Sequence, residues 1–358
     1  MTDVLEFEAI AKWTDGEAYA ASAEYNALFK VDLKTGDCTY ICLFDEEFDR
    51  KRLFTSAFKV KNKIFFVPST AERIAVYEPD SNRLYGIDVR QPDGEKYRYY
   101  KSNDKFNGGY IYDGYLFMTP STYPGIIRIN ADSNDVDYYT DWVSDGDYVF
   151  RKSPYVFGDV IYLPCTKRNN VLCFDMSTCK GQLVTLPTEH GSWWSMCNAA
   201  DCFWIAPRNP GPIICWDKNT NRIEEYSQYP KGFEGKYFYF SLCFEREKKV
   251  YFLPARSNMG VYIDLTDKKV YEWKIDHVDK DSMAAYMFCL DNEIYLKISN
   301  QESTNYICIN KETLSSRNYI FSFKYNKDCF KEDLTNTIRG TILQERKNLG
   351  LKWYTSLL

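Results

Sequence analysis

One design recurs seven times along the 358 residues, and a repeat of this length constrains the fold more than any single motif. Residues 149–187 show it. The turn Phe157-Gly158-Asp159 leads into the apolar run Val160 to Pro164, and the polar loop Cys165 to Asn170 follows. A second apolar run, Val171 to Asp175, ends in a tight turn before a last short strand, Gln182 to Leu186. Aligned on the end of the second strand, the copies give Ala21, Pro68, Pro120, Pro164, Pro207, Pro254 and Ile298, spaced by 47, 52, 44, 43, 47 and 44 residues. The acidic or amide residue that opens the last hairpin gives Asp32, Glu78, Asn130, Asp175, Asp217, Asp264 and Asn310, spaced by 46, 52, 45, 42, 47 and 46. Two independent registers agree on seven units.

Each unit reads as a four-stranded meander, because Asn, Asp and Gly stand at the hairpin turns, where a positive φ is needed. Asp15-Gly16, Asp113-Gly114, Gly158-Asp159 and Asn219-Thr220-Asn221 are examples. The second strands, such as Ile64-Phe65-Phe66-Val67 and Phe203-Trp204-Ile205-Ala206, do not alternate apolar with polar, so both faces of each small sheet are covered. Sheets like themselves can do this when units stand face to face, which is the β-propeller solution. Over residues 7–323 the chain resembles the seven-bladed propellers, in the broad kelch-like and WD-repeat style. The likeness is to architecture. There is no Gly-His…Trp-Asp signature, and Gly108-Gly109 falls in a first strand rather than after a second one, so no kelch or WD partner is implied. The expected fold is all-β, a seven-bladed β-propeller of four-stranded antiparallel blades.

After Phe323 the pattern changes. Leu334, Ile338, Ile342 and Leu349 fall near one face of Glu332 to Leu349, which predicts a short amphipathic C-terminal α-helix. The expected division is a propeller over 1–323 and a helical tail over 324–358, packed on or beside it or binding a partner.

A net charge of −5, without a block of five like charges, argues against nucleic acid, since phosphate binding needs a basic face. No run of 18 apolar residues predicts membrane insertion, and Asp3, Glu6 and Glu8 stand where a signal peptide needs a basic start, so a cytoplasmic protein is expected. Eight of the 12 cysteines, Cys42, Cys173, Cys197, Cys202, Cys215, Cys243, Cys289 and Cys308, fall in or beside strands, where a free thiol is a small buried group. With no C-x-x-C pair and only His190 and His277 as imidazoles, neither a disulfide set, a metal site nor any cofactor is expected.

If strands run up, down, up, down, the loops after the second strands meet the inter-blade connections at one end, around the mouth of a central channel. These loops carry Arg52, Lys101, Arg151, Trp193, Trp194, Arg208, Tyr237 and Arg256. Arginine forks bind carboxylate and phosphate bidentately and aromatic faces stack on rings, so one reading is a site for an anionic or glycan ligand. The other pairs the same cations with Asp45, Glu46, Glu47, Asp49, Asp104, Asp145 and Asp147 as ordinary solvated surface. His190, between Glu189 and two tryptophans, is the candidate general acid or base, or else a hydrogen-bonding surface residue.

Gly-x-Ser-x-Gly, phosphate-loop and dinucleotide-loop motifs are absent, as is the sialidase-type Asp box. Two functions follow. The first is a non-catalytic binding or scaffolding propeller that presents a basic, aromatic face to a protein or an anionic or glycan ligand. The alternative is a cytosolic lyase or hydrolase for an anionic sugar, with His190 or a tyrosine as base and arginines neutralising a carboxylate.

Overall fold

The computed structural model describes residues 2–23, 26–44, 52–90, 104–142, 148–150, 154–235, 238–276, 283–299 and 304–324. The predicted helix, Glu332 to Leu349, lies outside them. The described residues form an all-β, seven-bladed propeller of four-stranded antiparallel blades, without a helix among them. The chain divides into two compact units, residues 1–91 with 320–358, and residues 92–319.

The first unit holds blade 1 (7–43) and blade 2 (54–88). Blade 1 has more than the four strands the repeat predicts. Ser322–Lys324 lies parallel to Asp37–Leu43, and Thr2–Val4 pairs antiparallel with Ser322–Lys324, giving six strands. The addition is fixed by the amide of Leu5, which donates to the Phe321 carbonyl at 2.9 Å, and by Ser322 Oγ, which donates to Asp37 Oδ1 at 2.9 Å. Phe7 meets Phe321 at 5.1 Å and Phe29 meets Phe323 at 5.4 Å, both edge to face, so the joint is apolar as well as hydrogen-bonded.

The second unit holds blades 3 (106–139), 4 (155–185), 5 (193–226), 6 (240–273) and 7 (283–319). In each the second and third strands are largely buried, while the last strand is mostly exposed or half-buried, as in Arg222–Tyr226. The first strands of blades 5 and 6 lie against one another, which makes the first strand the inner edge and the last the outer. Between blades 4 and 5 the core is aromatic. Phe203 stands 4.5 Å from Tyr162 and 5.6 Å from Trp216, with Trp193, Ile205 and Ile214 around them. Each such side chain contributes roughly 1.5–3 kcal/mol by burial alone.

The residue that opens each last hairpin has a physical task. Oδ1 of Asp32, Asn130, Asp175, Asp217 and Asn310 accepts the amides two and three residues on, at 2.8–3.3 Å. The side chain thus copies a backbone turn. Hydrogen bonds from Thr35, Ser177 and Thr220 hold the carboxyls of Asp32, Asp175 and Asp217, respectively, below the usual carboxylate range. The eleven described cysteines are free thiols, and burial pushes Cys38 and Cys308 up to about 12.

Candidate functional site

A bulge starts the first strand of most blades. Trp193 pairs with Pro207, yet the next matched pair is Ser195 with Ala206, so Trp194 is the extra residue. The same shift leaves Glu8 extra after Phe7, Thr55 after Phe54, Asn107 after Phe106 and Ser241 after Phe240. A bulge re-aims one side chain without breaking the strand. Here it separates two neighbouring tryptophans. Trp193 stays in the core between blades 4 and 5 at 1% exposure, while Trp194 is half-buried among the loops. The sequence signal is an aromatic residue followed by an unmatched partner at the head of the strand.

Beside Trp194 the loops of blades 5 and 6 converge on Phe238, at the end of the inter-blade connection. Its ring centre lies 4.9 Å from that of Trp194, tilted by 49°. The Arg208 guanidinium stands 4.9 Å from the Phe238 ring and 6.0 Å from the Trp194 ring. The Arg256 guanidinium approaches the same phenyl ring to 5.4 Å. Backbone bonds lock this arrangement: the Phe238 amide donates to the Arg208 carbonyl at 2.7 Å, and the Arg256 amide donates to the Phe238 carbonyl at 2.9 Å. Phe238 has a φ of 57°, a left-handed conformation that costs a bulky residue roughly 1–2 kcal/mol. Such strain persists where surrounding contacts over-determine it, and it clusters at functional sites.

The neighbouring loops are built to hold this geometry. Arg208 Nη1 donates to the Thr166 carbonyl at 3.1 Å, the same oxygen that accepts Ser192 Oγ at 2.6 Å. Arg208 is therefore half-buried and committed to the loop of blade 4. Residues 232–235, in the connection to blade 6, are stitched to its loop by Asn258, whose Oδ1 accepts the Glu234 amide and whose Nδ2 donates to the Gly232 carbonyl, both at 2.9 Å. Asn258 N also donates to the Glu234 carbonyl at 3.0 Å. Tyr229 stacks on Phe233 at 4.4 Å, and a Cβ on Gly235 would stand 2.5 Å from the Tyr239 ring, so this strap requires glycine there. Burial raises the phenols of Tyr229 and Tyr239 above the usual tyrosine range, and both remain neutral.

Of the sequence candidates, Trp194, Arg208 and Arg256 come together around Phe238, which sequence reasoning passed over for its neighbour Tyr237. Lys101, Arg151 and Tyr237 lie outside the described residues. Arg52 belongs to the first unit, where it meets Glu8 at 3.1 Å and Glu6 at 3.8 Å, so its charge is balanced locally. His190 is exposed and stands 3.6 Å from Glu225 on the outer strand of blade 5. Thr188 Oγ1 fixes that pair, donating to Glu225 at 3.0 Å and accepting the His190 amide at 3.1 Å. Among the described residues no cluster of three or more His, Cys, Asp and Glu could hold a metal ion.

No known family's sequence profile matches the chain, and no curated protein matches it in sequence. Solved structures match it in fold. The chain is similar to a catalytically inactive variant of virginiamycin B lyase from Staphylococcus aureus, solved with quinupristin, with a TM-score of 0.59 at 13% identity over 83% of this chain and 92% of that one. A streptogramin B lyase structure gives 0.57 at 15% over 83% and 94%, and BamB from Moraxella catarrhalis gives 0.53 at 10% over 81% of each chain. At these identities the likeness is one of fold alone.

Proposed function

We propose that this chain is a non-catalytic binding or scaffolding propeller that holds a protein or an anionic or glycan ligand against the loops of blades 5 and 6, in the cytoplasm. The observation that carries the reading is Phe238, a strained aromatic ring clamped by the backbones of two arginines and flanked by both guanidinium groups. Two positive charges gathered at one ring repel each other, and an anion placed beside them relieves that repulsion. Trp194 supplies an aromatic face next to them, suited to a sugar or a planar group. Function on loops held by a rigid sheet frame fits the same picture.

A second reading is a lyase or hydrolase acting on an anionic sugar, with His190 and Glu225, 3.6 Å apart, as its acid-base pair. Side-chain exposures of 48% and 43% leave that pair wet, which favours binding over catalysis. Native co-purification with mass spectrometry tests the choice. The parent chain is expected to carry a protein or small anion that the Arg208→Ala/Arg256→Ala variant loses. An identical set of bound species on both proteins overturns the reading, and turnover of a uronate oligosaccharide that His190→Ala abolishes establishes the enzyme instead.

A further inference from the structure

The two arginines at Phe238 are not equivalent, and the difference specifies what the site takes. Arg208 is half-buried and spends Nη1 on the Thr166 carbonyl, besides donating its amide to Ser192 and accepting that of Phe238. Among the described residues Arg256 is hydrogen-bonded through its backbone amide, and its side chain is exposed, with the guanidinium against the Phe238 ring. Among the described residues that guanidinium has no ion pair, in contrast to Arg128, Arg246 and Arg317, which hold Asp137, Glu247 and Glu293 at 2.6, 2.7 and 2.6 Å. A guanidinium lying against an aromatic ring uses its face for the contact and leaves its edge, with the in-plane N–H donors, for a partner.

Resting on the binding reading above, we infer that Arg256 is the residue that engages the ligand, edge-on and bidentate, and that the ligand's recognised group is an oxyanion, carboxylate or phosphate. Arg208 is a positioning residue: it holds Phe238 by its carbonyl and adds positive potential. The oxyanion sits beside the Phe238 ring with Trp194 at its flank, so a planar or sugar body attached to it reaches an aromatic face. Lysine cannot replace Arg256, because an ammonium is a point charge without the fork. At Arg208 lysine keeps the charge and the backbone bonds.

The test uses the full chain labelled with 5-fluorotryptophan, the Trp194 fluorine resonance being assigned by its loss in Trp194→Phe. Inorganic phosphate and acetate are titrated separately at constant ionic strength against chloride. A saturable shift of the Trp194 resonance is expected with at least one of the two, and the stronger tells phosphate from carboxylate. Arg256→Lys is expected to weaken that binding about tenfold or more, as loss of a bidentate charge-assisted contact does, with unchanged melting. Arg208→Lys is expected to move the resonance before any anion is added and to weaken binding only a few-fold. Equal binding by Arg256→Lys and the parent, a larger loss in Arg208→Lys, or no saturable shift with either anion overturns the assignment. If that happens while the Arg208→Ala/Arg256→Ala variant still loses its co-purified partner, the oxyanion inference fails and the binding reading stands. If the co-purified set is unchanged, the binding reading itself fails.

Discussion

The carbonyl of Arg208 accepts the amide of Phe238 at 2.7 Å, while the guanidinium of the same arginine stands 4.9 Å from the Phe238 ring. One residue thus grips another through backbone and side chain together, across the step from blade 5 to blade 6. The grip keeps Phe238 left-handed at a φ of 57°. Glycine adopts that conformation without steric cost. Phe238→Gly should therefore leave unfolding free energy within about 1 kcal/mol of the parent, relief of strain offsetting the lost ring contacts. The same variant should weaken anion binding, because neither guanidinium then has its platform. Denaturant unfolding and anion titration on one protein check both halves.

The strap before Phe238 depends on Asn258. In Asn258→Ala the Glu234 amide loses its acceptor and the Gly232 carbonyl its donor. Hydrogen exchange should accelerate at Glu234 while the second and third strands of blade 6 keep their protection, since loops open below the global free energy. Exchange unchanged at Glu234 contradicts the role given to Asn258.

Acid should loosen the last hairpins. The carboxyls of Asp175 and Asp217 are held below the usual range by hydrogen bonds from Ser177 and Thr220 respectively. A depressed folded pKa stabilises the fold above the unfolded carboxylate value, near pH 4, and that contribution disappears as pH falls through the lower folded value. Asn130 and Asn310 make the same turn without a titrating group. Asp175→Asn/Asp217→Asn should then lose less stability than the parent as the pH falls below the ordinary carboxylate range, about pH 4. Parallel acid melting curves count against this account of the turns.

The first hairpin of blade 5 turns at Ala200 and Asp201, with φ of 51° and 62°. A Cβ at such a position costs roughly 1–2 kcal/mol, so Ala200→Gly should raise unfolding free energy by about 1 kcal/mol. The reverse sign in denaturant unfolding refutes the turn assignment.

Between blades 4 and 5, Phe203 touches Tyr162, Trp216, Tyr155 and Phe157. Phe203→Ala should cost about 3–5 kcal/mol, the range for truncating a buried phenylalanine. A loss under about 1 kcal/mol means the cavity collapses and the aromatic cluster is not a rigid core.

The seven units are legible in the sequence because each carries its own turn chemistry. Asp32, Asn130 and Asp175 recur because an Asx side chain makes the turn, and Pro68, Pro120 and Pro207 because each meets the aromatic residue that heads the first strand. Thr2–Val4 and Ser322–Lys324 are too short to leave a periodic signal, and their pairing spans the whole chain. At the site, composition drew attention to Trp193 and Trp194 alike, and only the bulge decides that the first is core. A backbone angle sets Phe238 apart from its neighbours, and no residue pattern records it. His190 and Arg52 show the same limit: their partners Glu225, Glu6 and Glu8 are brought to them by strand geometry rather than by neighbourhood in sequence.

Whether Arg256 grips an oxyanion is decided by a crystal soaked with selenate, a phosphate-like oxyanion located by its anomalous signal. A selenium peak is expected beside the Phe238 ring, with selenate oxygens about 2.7–2.9 Å from the Arg256 guanidinium and in its plane. A peak that avoids Arg256, or occupancy unchanged in Arg256→Lys crystals, contradicts it.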